Sequence, residues 1–291
     1  PVGADFAEYM GLNDITFELK VTPNRADCLS HYGLARELST LLARPLLQKT
    51  SDLKFAKGST QDKIELEVYE PKLCPRYTGR VVGGVKVAPS PEWIKKRLEL
   101  MGFNSINNIV DVTNYVMLEY GQPLHAFDLR EIKGAKIIVE KAKVDEKFQT
   151  LDGTTLTLSG EELMIKDKDR SVAMAGVVGG KNSGVSDSTT DLFIEAAYFS
   201  PASIRRSQRL HGIHTESGYR FSRGVDPHGT VRAMDRAVEL LLQVAGGSAL
   251  QNHYDIYPEP LVQVPISITT QVVSDRLGYE ANQAKLEDYL K

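Results

Sequence analysis

Only two cysteines, Cys28 and Cys74, occur in the 291 residues, with no Cys-x-x-Cys and no Cys/His cluster. Neither a disulfide framework nor a thiolate zinc site is therefore expected, and the usage fits a reducing compartment. No apolar run approaches the roughly 18 residues that span a bilayer, and no signal peptide is visible. The expectation is a cytoplasmic protein with no membrane attachment. The formal net charge of −3 excludes a surface coated in positive potential but leaves room for a local basic patch. Phosphate-loop, dinucleotide and serine-hydrolase signatures (GxxxxGK[ST], GxGxxG, GxSxG) are all missing.

What is present is the composition of a globular chain, 42% apolar and 25% charged, long enough for one large domain or two to three small ones. It begins at Pro1 without Met and stops at Lys291 inside a helix-like "NQAKLEDYLK", so a segment of a longer protein is expected. Near the start, Leu34, Leu38, Leu41 and Leu42 recur at helical spacing until Pro45. The polar stretch that follows reads as a linker, with a boundary near residues 48–62. Then come strand signals: alternation in "IELEVYE", followed by "YTGRVVGGVKVA", "AKIIVEKA", "ELMIKD", "SVAMAGVVGG" and "TTDLFIEAAYF". In "FQTLDGTTLTL", Asp152-Gly153 supplies a hairpin turn. "SPEWIKKRLELMG" predicts a helix with Ser90 as N-cap, and "SPASIRRSQRLHG" repeats the pattern from Ser200 to Gly212. A longer helix is expected through "TVRAMDRAVELLLQVAGG", and "YDIYPEPLVQVP" reads as a second linker. Strands and helices do not alternate regularly. The fold class is therefore α+β, a sandwich-like sheet module with surrounding helices, flanked by parts of small helical domains.

Four features carry possible chemistry. The glycines of "AGVVGG", residues 175–180, suit either a tight turn or a loop that lets a backbone approach a ligand. Glu195 sits in the apolar "LFIEAAYF", where a bare carboxylate is costly to bury. It either faces water by alternation or waits in an apolar pocket for a hydroxyl or cation. In "SIRRSQRLHGIHTESGYRFSRG", Arg205, Arg206, Arg209, Arg220 and Arg223 oppose Glu216 alone. Such a run is either a solvated face or a binding surface for an anion such as nucleic acid. "DVTNYVMLEYGQPLHAFD", residues 111–128, gathers Asp111, Glu119, Asp128 and His125. A metal site would need more ligands at tighter spacing, so none is expected.

Together these segments resemble the β subunits of bacterial phenylalanyl-tRNA synthetase. The resemblance is carried by "VTPNRADCLSHYGLAREL" at 21–38, "INNIVDVTNYVMLEYGQPLHAFDL" at 106–129, "LDGTTLTL" at 151–158, "AMAGVVGGKNSGVSDSTT" at 173–190 and "RLHGIHTESGYRFSRGVDP" at 209–227. It implies three parts: residues 1–48 as the end of a helical B1 domain, 62–258 as a B3/B4 editing module, and 262–291 as the start of a B5 domain. In that family the B3/B4 module hydrolyses tyrosine wrongly esterified to tRNA(Phe). Amino-acid activation with ATP and Mg2+ resides on the α subunit of an α2β2 heterotetramer. No cofactor is expected on this chain.

Carried over position by position, the resemblance makes His125 and Glu195 the catalytic pair, with His125 positioning water or substrate and Glu195 accepting the tyrosine hydroxyl. It makes Thr113, Asn114, Pro123, Gly176, Gly179 and Thr215 the pocket residues. Ser217 stands where many relatives have Ala, adding a hydroxyl to the wall. Tyrosine and phenylalanine differ by one hydroxyl, which an apolar synthetic pocket rejects incompletely, so a second sieve is needed. A hydrogen bond to a charged group contributes roughly 1.5–3 kcal/mol, or one to two decades of selectivity. The alternatives are a non-catalytic architectural or tRNA-binding module of the same enzyme and a free-standing deacylase. The flanking sequences speak against the deacylase.

Overall fold

The computed structural model describes residues 2–9, 13–47, 53–262 and 264–290. The N-terminal part holds α1 (Phe6–Tyr9) and α2 (His31–Leu41). The central part begins with β1 (Phe55–Ser59), β2 (Glu65–Val68), β3 (Arg76–Gly83), α3 (Glu92–Leu100), α4 (Asn108–Tyr120) and β4 (Leu124–Asp128). It continues with β5 (Lys136–Lys141), β6 (Lys147–Gln149), β7 (Thr155–Thr157), β8 (Leu163–Lys166), β9 (Ser171–Met174), β10 (Val178–Gly179) and β11 (Asp191–Tyr198). Helices α5 (Pro201–His211), α6 (Glu216–Arg223) and α7 (Thr230–Val244) precede β12 (Ser248–Asn252) and β13 (Tyr254–Ile256). Helices α8 (Thr270–Leu277) and α9 (Gln283–Leu290) follow, with no buried residue in either.

Two mixed sheets form the α+β sandwich. The central sheet runs β1-β12-β3-β11-β4, with β13 also on β3, and the second runs β10-β9-β8-β5-β2. Alternation along β11 assigns its side chains to two different cores. Leu192, Ile194 and Ala196 join Val82 beneath α3, α4 and α7. Phe193 and Ala197 join Tyr77, Val81 and Phe127 against the second sheet, with Phe221 of α6 closing that layer. Glu195 has the same parity as Phe193 and Ala197, so it points between the sheets.

Local chemistry explains the helix that feeds β4. Asn107 caps α4 by accepting from the backbone N–H groups of Ile109 and Val110, both at 3.0 Å. Gly121 ends the helix with φ 75°, a conformation suited to glycine. The N-terminal part docks on the end of this helix, where His31 Nδ1 lies 3.0 Å from the Leu118 carbonyl.

Three local expectations need correction. Ser90 does not cap α3, because its hydroxyl donates to the buried carboxylate of Asp111, which also gathers Ser105 and the Ile106 N–H. A charge-assisted bond outweighs a neutral cap. The stretch read as a linker near 48–62 contains β1, which pairs in parallel with β12; residues 48–52 of it lie outside the described residues. The second supposed linker contributes Tyr254–Ile256 to the central sheet as β13. Among the described residues, no helix is long and apolar enough to cross a membrane.

Candidate active site

His125 of β4 and Glu195 of β11 are directly paired across the antiparallel ladder. Opposite residues of such a pair point to the same face with Cβ atoms roughly 5 Å apart, so register alone brings the two side chains together. Glu195 is 5% exposed. Its Oε2 accepts from the Tyr77 hydroxyl at 2.6 Å. Burial raises the carboxyl to about 7, against the lowering effect of that bond. The half-buried His125 ring stands edge-on to Phe127, with centroids 4.3 Å apart. Its Nε2 is sealed from water without a partner. Burial lowers the imidazole to about 4, so it is neutral near pH 7.

The opposing wall is the turn between β9 and β10. Gly176 has φ 68°, and a Cβ there would come within 3.0 Å of Ile204, Phe199 and Phe221. At Gly179 a Cβ would meet His125 Cε1 at 3.1 Å. Gly179 therefore lets its strand lie close over His125, and Gly176 lets the turn pack against Phe199, Ile204 of α5 and Phe221 of α6. Ser217 and Phe221 of α6 and Pro123 complete the lining of a cavity of about 80 Å³. That volume holds two or three waters at ~30 Å³ each. It is well below the roughly 300 Å³ of an ordinary ligand pocket.

Six of the sequence-predicted residues thus meet at one cavity: Pro123, His125, Gly176, Gly179, Glu195 and Ser217. Thr113 and Asn114 lie on α4 outside the lining set, and the Thr113 hydroxyl is turned back onto the Val110 carbonyl at 2.7 Å. Their helix touches the site through Met117, whose sulfur is 3.9 Å from the Ser217 hydroxyl. Thr215 is the N-cap of α6, accepting from Gly218 N at 3.0 Å, and it donates to the Val177 carbonyl of the glycine turn at 2.8 Å. It also lines an open depression of about 1290 Å³ between α5 and α6, with Arg205, Arg206, Arg209 and Arg223.

These arginines differ in availability. Arg205 donates to the Ser222 carbonyl, and Arg206 pairs with Glu161 at 2.8 Å. Arg223 stacks on Tyr219, 3.7 Å from the ring centre, whereas Arg209 has no ion-pair partner among the described residues. Arg220, expected to meet an anion, is instead a brace. It is 7% exposed, pairs with Glu216 at 2.6 Å and reaches the Leu29 carbonyl at 3.2 Å, because its position on α6 turns it toward the N-terminal part.

Asp111, Glu119 and Asp128 all serve the scaffold: Asp111 holds Ser90 and Ser105, Glu119 pairs with Arg236, and Asp128 holds Arg130 and Thr189. Among the described residues, no three His, Cys, Asp or Glu side chains converge to hold a metal ion. Sequence reasoning missed Tyr77. Nothing in "PRYTGRVV" marks that tyrosine, since its partner is 118 positions away.

The B3/4 domain family model matches residues 73–246, more than half of the chain and all of this site. Over 291 residues, the whole of this chain, it is 60% identical to the phenylalanine–tRNA ligase β subunit of Bdellovibrio bacteriovorus, covering 36% of that protein. The corresponding subunit of Geobacter sulfurreducens is 44% identical over 98% of this chain and 36% of its own length. The chain therefore spans about a third of the curated relatives it matches. An N-terminal fragment of the phenylalanyl-tRNA synthetase β subunit from Pyrococcus horikoshii aligns over 98% of this chain and 83% of that one, with TM-score 0.44 at 15% identity, a distant likeness. Because the match covers more than half of the chain and every wall of the cavity, the chain belongs to the B3/4 domain family.

Proposed function

We propose that the cavity is an editing site, hydrolysing tyrosine wrongly esterified to tRNA(Phe) as part of a phenylalanine–tRNA ligase β subunit. The observation that carries this reading is Glu195: a buried carboxyl lining a small cavity, held among the described residues through one oxygen only. A phenol entering the cavity supplies the missing donor. A phenylalanine ring leaves that oxygen unpaired, and the asymmetry discriminates between them.

His125 suits positioning more than proton abstraction. An imidazole lowered to about 4 is a weak base at neutral pH. Neutral and unpartnered, it can orient a water or the ester by hydrogen bonding. The ester bond is labile, so orientation and polarisation carry much of the rate. The depression beside α6, with Arg209, Arg223 and His214, suits the phosphates of the tRNA acceptor end. Thr215 and Ser217 then lie between that end and the cavity. Under this reading the partners are the α subunit, in an α2β2 cytoplasmic enzyme, and tRNA(Phe). Activation with ATP and Mg2+ belongs to α and not to these residues.

The small volume of about 80 Å³ favours a second reading, a non-catalytic module of the same enzyme. Deacylation of tyrosyl- and phenylalanyl-tRNA(Phe) by the assembled enzyme separates the two. The wild type should prefer tyrosine, and Glu195→Ala should lower that preference about 10- to 100-fold. A preference retained in Glu195→Ala would refute the role of Glu195. No deacylation by the wild type would leave the non-catalytic reading.

A further inference from the structure

Tyr77 and Glu195 lie on neighbouring strands, but not directly opposite. Tyr77 pairs with Ala197 and Glu195 with Gly79. The two are diagonal neighbours, separated by roughly 7–8 Å at Cα, a span that a tyrosine side chain bridges. Tyr77 is 0% exposed, and among the described residues its hydroxyl reaches only Glu195 Oε2, at 2.6 Å. Oε1 has no partner among the described residues, yet it is not among the sealed unpartnered atoms, so it keeps contact with the cavity that Glu195 lines. A buried tyrosine normally spends its hydroxyl on a backbone carbonyl or a scaffold group. Here it is spent on one oxygen of the only carboxyl that lines the cavity among the described residues.

We propose that Tyr77 is a positioning residue for recognition of the substrate phenol: its hydroxyl fixes Oε2 of Glu195 and thereby presents Oε1 to the para position of the entering ring. The inference rests on the editing reading above. The terminal torsion of a glutamate is broad, and one fixed oxygen removes that freedom before substrate arrives. The bound state is then a carboxylate between two phenols, one from the protein and one from the substrate. Specificity therefore depends on two tyrosines, of which only one belongs to the substrate.

The Tyr77 bond also governs when Glu195 is charged, because it is the interaction that favours the ionised form against burial. Few other groups compete. From β4 comes His125, neutral near pH 7, and from the segment before β3 comes Cys74, whose thiol burial pushes well up. The β9–β10 turn and α6 present Val177, Val178, Ser217 and Phe221, which carry no charge. Glu195 is therefore the group around this cavity that titrates near neutrality.

Tyr77→Phe removes the hydroxyl and keeps the ring. In the assembled enzyme, the ratio of tyrosyl- to phenylalanyl-tRNA(Phe) deacylation is measured from about pH 6 to 8.5, with spontaneous hydrolysis subtracted. In the wild type this selectivity should rise through pH ~7. In Tyr77→Phe the rise should move up by about one to two pH units and level off below the wild-type value, because the ionised carboxyl is no longer held in place. A 13C titration of Glu195 in the Tyr77→Phe chain, assigned by Glu195→Gln, should move by the same amount. An unmoved titration midpoint, or a selectivity equal to the wild type's once Glu195 is ionised, would overturn the proposal. A wild type with no tyrosine preference would overturn the editing reading, while the titration still tests the Tyr77–Glu195 coupling.

Discussion

Asp128 and Glu195 are both carboxylates of the central sheet, on adjacent strands and 1% and 5% exposed. Asp128 accepts from the Arg130 N–H at 3.0 Å, the Arg130 guanidinium at 2.9 Å and the Thr189 hydroxyl at 2.6 Å. Burial alone would raise it, but these bonds prevail and hold its carboxyl below the usual range. Glu195 receives one phenol and no cation, and burial prevails. Asp111 likewise collects several donors, two serine hydroxyls and a backbone N–H. The scaffold therefore satisfies these buried carboxylates fully, and the one at the cavity is left short of a donor. A half-satisfied buried carboxylate costs stability and marks a site where a ligand completes the bonding.

Stability measurements put this contrast at risk, because the two residues should respond to pH with opposite sign. Asp128→Ala carries the larger effect. It removes the acceptor of the Thr189 hydroxyl and of the Arg130 backbone N–H and should cost about 3 kcal/mol in urea unfolding at pH 7. The folded carboxyl lies below its ordinary 3.8, so its contribution is present above that value and is lost as pH falls. The penalty of the variant should shrink accordingly in acid. Glu195→Gln should do the reverse and stabilise the chain. The folded Glu195 is raised from 4.5 to about 7. Its contribution is therefore fully present below 4.5 and lost as pH rises through 7. The variant should gain about 2 kcal/mol over wild type by pH ~8.5 and almost nothing at pH ~4, allowing for water entering the open cavity. Parallel pH curves for the two variants would remove the distinction between them.

Much of the site is legible in the sequence. The alternation in "LFIEAAYF" and the apolar setting of Glu195 identify an unusual carboxylate, and the resemblance joins it to His125 and the glycines, which one cavity unites. The polar residues of "DVTNYVMLEYGQPLHAFD" divide between site and scaffold, with His125 in the cavity and Asp111, Glu119 and Asp128 bracing the fold. What escapes depends on distant pairing. Ser90 reads as a cap until Asp111 competes for its hydroxyl. The polar stretch before Ile64 reads as a linker until β12 offers it a partner. Arg220 reads as a surface cation until the Leu29 carbonyl claims it. Tyr77 has no local signal, because only the β3–β11 register brings it to Glu195.

The proposed role of the cavity depends most directly on the protonation of Glu195. Following the side-chain carboxyl carbons of Glu195 and Asp128 by 13C resonance in one sample, with Glu195→Gln and Asp128→Asn for assignment, compares the two residues under identical conditions. The expected midpoints are near 7 for Glu195 and below 3.8 for Asp128. A Glu195 midpoint at the ordinary value of 4.5 would refute the contrast between the two carboxylates and the recognition role built on it.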